Sequence, residues 1–172
     1  MSSTSDFIRD IPDFPEPGIV YKDITPLLAD ASAFADAVDA MTAPLRAASI
    51  DVIVGMEARG FLFGPPIAQA LGVGFVPVRK PGKLPSDTRS MSYELEYGTD
   101  TLEIHADALS PGQRVGLVDD VLATGGTLAA SAALVRSMDA VPIAASVLLE
   151  LAFLPGRAKL SDIEVHTVVE VH

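Results

Sequence analysis

Apolar and polar positions follow two rhythms along this chain, and the switches between them outline an architecture. Ala31 to Ala43 places Phe34, Val38 and Met41 at helical spacing, with Pro44 expected to end or kink that helix. Apolar runs at Asp51–Met56 (DVIVGM) and Gly74–Val78 (GFVPV) predict buried strands. Between them Phe61–Leu71 predicts a helix, despite Pro65 and Pro66 near its start. Val115–Val118 predicts a short strand, and Thr127–Met138 a helix offering Leu128, Leu134, Val135 and Met138 to a core. Pro142–Leu151 and His166–Val171 read as later strands. Such alternation predicts an α/β fold with a mostly parallel twisted sheet flanked by helices.

Two segments do not fit that wrapping. Tyr93–His105 (YELEYGTDTLEIH) alternates apolar and polar around Gly98, Thr99 and Asp100, which predicts an antiparallel hairpin. With the basic loop before it, this hairpin is expected to form one flexible flap over residues 80–105. The first thirty residues, with FPEPGIVYKDITPLL, are expected to form a hood rather than a layer of the sheet. No repeat or shift in composition marks a boundary, so one domain over residues 1–172 is expected.

Composition narrows the function. At 172 residues with 49% hydrophobic content, the chain can bury a sizeable core and is not a disordered segment. It has no cysteine, which excludes disulfides and thiolate chemistry. A net charge of −11 argues against nucleic acid, which needs a basic face. The N-terminal residues lack a basic segment followed by an apolar one. The longest apolar stretch, Ala140–Leu149, is about half a membrane span and contains Pro142, so a soluble, cytoplasmic protein without a membrane partner is expected. His105, His166 and His172 share no metal-ligand spacing. The scarce positive charge is gathered in VRKPGKLPSDTR, where Arg79, Lys80, Lys83 and Arg89 follow directly on the GFVPV strand. Ligands of open α/β sheets bind at such strand ends.

The most informative stretch is VGLVDDVLATGGTLAAS, Val115 to Ser131. Asp119 and Asp120 are expected at the solvent-facing end of a strand, and Thr124, Gly125, Gly126 and Thr127 in the loop before a helix. Glycines there let a ligand approach the backbone, and free N–H groups at a helix start attract an anion. The loop wants an anion and the aspartates want hydroxyls or a cation. A ribose 5-phosphate satisfies both. The acidic strand could also suggest a P-loop hydrolase, but the chain has no G-x-x-x-x-G-K-[ST]. A dinucleotide fingerprint begins at Gly72 and Gly74 and fails at Pro77.

Taken together, VDDVLATGGT, MEARGFLFGP, RKPGKLP, LEYG and DFPEPGIVYKDITPLL resemble the type I phosphoribosyltransferases, and within them the adenine-specific branch. The likeness runs in order from about Asp10 to about Leu151. It implies that Asp119 and Asp120 take the ribose hydroxyls of 5-phosphoribosyl 1-diphosphate while Ala123, Thr124, Gly125, Gly126 and Thr127 wrap its 5-phosphate. It implies a diphosphate loop at Ala58, Arg59 and Gly60, completed by Arg79, Lys80 and Lys83. Val20, Tyr21 and Lys22 match the adenine strip, with backbone groups reading the base edge and the Tyr21 ring stacking on it. Glu96 matches the flap carboxylate that approaches N7 of adenine, with Tyr97 beside it. The resemblance thus casts Glu96, Arg59, Lys83 and Tyr97 as catalytic.

The implied reaction joins adenine to the phosphoribosyl group, giving AMP and diphosphate, a purine-salvage step. Mg²⁺ is the implied cofactor, held mainly by substrate with Asp119 or Asp120 nearby, and a homodimer is implied by the same likeness. Relatives often carry Phe and Arg where this chain has Tyr21 and Lys22, and little change in specificity is expected. Two alternatives stand beside this reading: transfer to another purine or to orotate, and a non-catalytic regulator that senses the diphosphate sugar.

Overall fold

The computed structural model describes residues 3–94 and 98–172. Glu96 and Tyr97, both with expected roles, lie outside the described residues. The chain opens with a short antiparallel pair, β1 (Arg9–Pro12) and β2 (Val20–Asp23), followed by helices α1 (Thr25–Ala29) and α2 (Ala31–Ala47). Then come β3 (Val52–Met56), α3 (Gly60–Leu71) and β4 (Gly74–Val78). A hairpin of β5 (Thr88–Glu94) and β6 (Thr99–His105) precedes β7 (Arg114–Leu122), α4 (Gly126–Ser137), β8 (Val141–Leu151) and β9 (Glu164–Val171).

Five of these strands form one parallel sheet in the order β4-β3-β7-β8-β9. Its direction of winding reverses beside β3, since the chain first goes to β4 and later returns to β7 on the other side. A crevice at the strands' C-terminal ends follows from that reversal. Successive side chains of a strand point to opposite faces. Ile53 therefore joins α2 and α3 in a core with Met41, Leu45, Phe63 and Ile67. Val52, Val54 and Met56 face the other way, toward Leu128 and Leu134 of α4 and Leu102 and Ile104 of β6.

The expected α/β class stands, and three local differences have physical causes. Helix α2 runs through Pro44 to Ala47, because buried Met41 and Leu45 hold its last turns to the core. The hairpin starts at Thr88, earlier than the alternation indicated, and pairs from Thr88↔His105 to Glu94↔Thr99. Arg79 and Glu103 bridge it to the sheet's edge. Strand β7 is also longer than expected. Its pairing with β3 ends at Gly55↔Val118, while its pairing with β8 continues through Asp119↔Val147 to Leu122↔Glu150.

That last difference corrects the expectation that Asp119 and Asp120 sit at a solvent-facing strand end. They are in the strand and buried, at 9% and 4% exposure. The longer neighbour β8 keeps them in the ladder, and the loop after β3 covers the side that β3 no longer pairs.

Candidate active site

Two loops leave the sheet side by side: Glu57 to Arg59 after β3, and Ala123 to Gly125 after β7. They enclose a cavity of about 250 Å³ lined by Ala58, Arg59, Asp119, Asp120 and all of Ala123 to Thr127. Every residue expected around the ribose, the 5-phosphate and the diphosphate loop therefore lines or borders one space. Gly60, the first residue of α3, packs so closely that a Cβ there would meet Asp119 Oδ1 at 3.0 Å. The peptide joining Glu57 to Ala58 is cis.

The floor of the cavity carries two buried carboxyl groups. Asp119 Oδ1 accepts the Asp120 N–H at 2.9 Å, and Asp120 Oδ2 meets Arg59 Nε at 2.8 Å. Burial, then repulsion from Asp120, pushes the Asp119 carboxyl well above the ordinary aspartate range. Burial raises Asp120 as well, against the opposing pull of Arg59. Hydroxyl donors arriving here would replace hydration that both groups have lost.

The loop from Ala123 to Gly125 is braced from behind. Gly125 has φ +76°, and a Cβ on it would lie 2.4 Å from the Gly156 carbonyl oxygen. Gly156 belongs to a short 3₁₀ helix, Pro155–Leu160, which Arg157 anchors by a two-pronged contact with buried Glu150. The first N–H groups of α4 lack partners within their own helix, and Gly126 and Thr127 of that turn line the cavity.

A second cavity of about 150 Å³ adjoins the first and is more apolar. Val20, Tyr21 and Lys22 line it with Leu149 and Leu151, and Arg59, Asp120, Val121 and Ala123 belong to both spaces. The residues expected to hold adenine and those expected to hold the sugar phosphate thus meet along a shared wall. Lys22 Nζ bonds Asp10 Oδ1 at 2.7 Å, so its charge is turned to the hood.

The remaining cations stand behind the cavity wall. Lys83 Nζ donates to Glu57 Oε2 at 2.6 Å, and the Lys80 N–H donates to Glu57 Oε1 at 2.5 Å. Arg79 Nε lies 3.4 Å from the same Oε1, in ion-pair range but without hydrogen-bond geometry. Lys80 Nζ pairs with Asp100 in the hairpin. Arg89 lies elsewhere, donating to the Ser137 carbonyl, and does not belong to this group.

Glu57 was not legible as a site residue, although its position between a strand and Ala58-Arg59 was a usable signal. It lines the first cavity and collects Arg79, Lys80 and Lys83. Burial pushes its carboxyl up, but Lys83, the Lys80 N–H and Arg79 together outweigh burial and hold it below the usual glutamate range. Tyr93 is a second residue at the site with no signal in the sequence. Its hydroxyl donates to Asp100 at 3.2 Å, lies 3.4 Å from Thr127 Oγ1, and its ring covers Gly126.

Comparison with known proteins agrees with this geometry. The model of the phosphoribosyl transferase domain matches residues 27–169. The chain is 55% identical over 165 residues to adenine phosphoribosyltransferase of Thermobifida fusca (strain YX), covering 96% of this chain and 94% of the relative. It resembles the solved adenine phosphoribosyltransferase of Thermoanaerobacter pseudethanolicus with a TM-score of 0.95, 54% identity and 98% of each chain covered. It also resembles adenine phosphoribosyltransferase of Saccharomyces cerevisiae complexed with D-2,5-dideoxy-2,5-imino-altritol 1,6-bisphosphate and adenine. There the TM-score is 0.92, with 44% identity and 96% of each chain covered.

Proposed function

The chain belongs to the phosphoribosyl transferase family, and from that premise we propose that it transfers the phosphoribosyl group of 5-phosphoribosyl 1-diphosphate to adenine, giving AMP and diphosphate. One observation carries the reading: an anion-ready cavity and an apolar slot share Arg59, Asp120, Val121 and Ala123. Two substrates bound there would meet at that wall, where the bond between sugar and base must form. Their alignment removes much of the entropic barrier of a two-substrate reaction.

In this reading Asp119 and Asp120 accept the ribose 2′- and 3′-hydroxyls, and the N–H groups of the Ala123–Thr127 loop hold the 5-phosphate. Ala58, Arg59 and Gly60 receive the diphosphate. Departure of diphosphate leaves positive charge on the sugar ring, which the two carboxylates stabilise from below. Negative charge grows on the leaving group, where Arg59 stabilises it directly. Arg79, Lys80 and Lys83 reach it only by exchanging their carboxylate partners. Adenine stacks on Tyr21 and is read by backbone groups at Val20 and Lys22. Glu96, followed by Tyr97, steadies the base through N7 as N9 loses its proton.

Among the described residues no three His, Cys, Asp or Glu side chains cluster to cage a metal. A carboxylate pair that shares one cation, as Asp119 and Asp120 share Arg59, fits a Mg²⁺ that arrives on the substrate and keeps most of its oxygen ligands there. Bound so, it would neutralise charge on the departing diphosphate. The reading includes one domain with a hood over 1–30 and a flap over 80–105, a homodimer, and a cytoplasmic setting. Among the described residues no helix is long and apolar enough to cross a membrane.

The test is AMP formation from adenine and the diphosphate sugar, with and without Mg²⁺, and with hypoxanthine, guanine or orotate as competitors. Formation of AMP that the other bases fail to inhibit is expected. No AMP, or preferred use of another base, would overturn the reading.

A further inference from the structure

We infer that the Tyr21 hydroxyl is a positioning group for Arg59, so that a residue of the purine slot serves the diphosphate-sugar side of the site. The inference rests on the functional reading above and deepens it. Arg59 stands at the start of α3 with a side chain 37% exposed, and a long cation in that setting has many orientations to choose from. Two contacts select one of them. Its Nε lies 2.8 Å from Asp120 Oδ2, and its Nη1 donates to the Tyr21 hydroxyl oxygen. The guanidinium carbon sits 5.3 Å from the Tyr21 ring centroid.

The two anchors come from opposite sides of the site. Asp120 is rooted in β7, in the centre of the sheet, whereas Tyr21 is in β2 of the hood, paired with Ile11 and packed edge-on to Phe14 at 5.2 Å between centroids. Asp120 is also the anchor that a bound sugar draws on, because ribose hydroxyls compete for its oxygens. When they do, the phenol is what keeps Arg59 aimed across the cavity rather than out into solvent. The ring and the hydroxyl therefore divide the labour: the ring face belongs to the purine slot, and the hydroxyl belongs to Arg59.

This division has a signature that a stacking or folding role lacks. Tyr21→Phe keeps the ring and removes only the hydrogen bond. Titrated separately by calorimetry, adenine should bind the variant within about twofold of the parent. The diphosphate sugar with Mg²⁺ should bind about three- to tenfold more weakly, the net contribution of one typical hydrogen bond felt through the position of Arg59. In steady state the KM for the sugar should rise while that for adenine holds. Arg59→Lys supplies the second arm, because lysine cannot span both anchors; in that background Tyr21→Phe should add almost nothing to the loss. Sugar binding unchanged in Tyr21→Phe, adenine binding weakened instead, or full additivity in the Arg59→Lys background would each overturn the inference. Failure of the parent protein to make AMP would instead overturn the functional reading.

Discussion

Asp119→Asn should make the ligand-free protein more stable while disabling it. Asp119 is buried beside Asp120, and Arg59, the only cation that acts on it among the described residues, is engaged by Asp120. The substitution conserves shape, and Asn Oδ1 can still accept the Asp120 N–H that Asp119 accepts at 2.9 Å. What is lost is one buried negative charge. Relief of such functional-site strain is worth about 1–2 kcal/mol. For a chain of this length about 1 kcal/mol moves Tm by roughly 2–4 °C, so a rise of roughly 2–8 °C is expected.

The pH dependence separates charge from packing. The folded Asp119 carboxyl holds its proton to higher pH than the unfolded one, so no penalty exists below the ordinary aspartate value of about 3.9. The penalty grows as pH rises above that value and is complete once the folded carboxyl ionises. Melting curves at neutral pH and near pH ~4 should show the Asn advantage at the first and little of it at the second. Saturating diphosphate sugar at about a hundred times its Kd should add about 2.7 kcal/mol to the parent, and much less to the variant. A variant that melts below the parent at neutral pH, or an advantage that survives at the lower pH, would refute the buried-charge argument.

Three further outcomes follow from the same structure. Gly125→Ala should lower stability as well as 5-phosphate binding, by roughly 1–3 kcal/mol, because the new Cβ meets the Gly156 carbonyl and φ is +76°; thermal melting and ribose 5-phosphate titration together read both effects. Arg157→Met should leave Glu150 buried without its cation, with the Thr167 hydroxyl still donating to it, and loosen the segment behind the Ala123–Gly125 loop at a cost of about 1–3 kcal/mol; recovery in the double variant with Glu150→Gln would identify the uncompensated charge as the cause. Glu57→Gln should free Lys83, so limited proteolysis should cut the segment after Arg79 faster than in the parent. Because the folded Glu57 carboxyl is held below its usual range, its contribution is present above about pH 4.3 and should disappear only as pH falls through the depressed folded value; this acid loss should be absent in Glu57→Gln.

Local pattern was enough to reveal much of this protein. The strand and helix rhythm is a property of each segment, so DVIVGM, GFVPV and Val115–Val118 announced themselves as sheet without reference to one another. Asp119, Asp120 and the Thr124–Thr127 loop carried their chemistry in residue type and order, and they do line one cavity. What no local pattern could decide was surroundings. Whether Asp119 and Asp120 were wet or buried depended on β8 outlasting β3 as a pairing partner, a relation between strands far apart in the chain. Glu57 and Lys83 are 26 positions apart, and Tyr21 and Arg59 are 38 apart, so neither pair leaves a periodic trace. Periodicity records which way a side chain faces along its own element. Charge, by contrast, takes its energy from whichever groups the fold brings within a few ångströms, and only the packed sheet, hood and loops determine those.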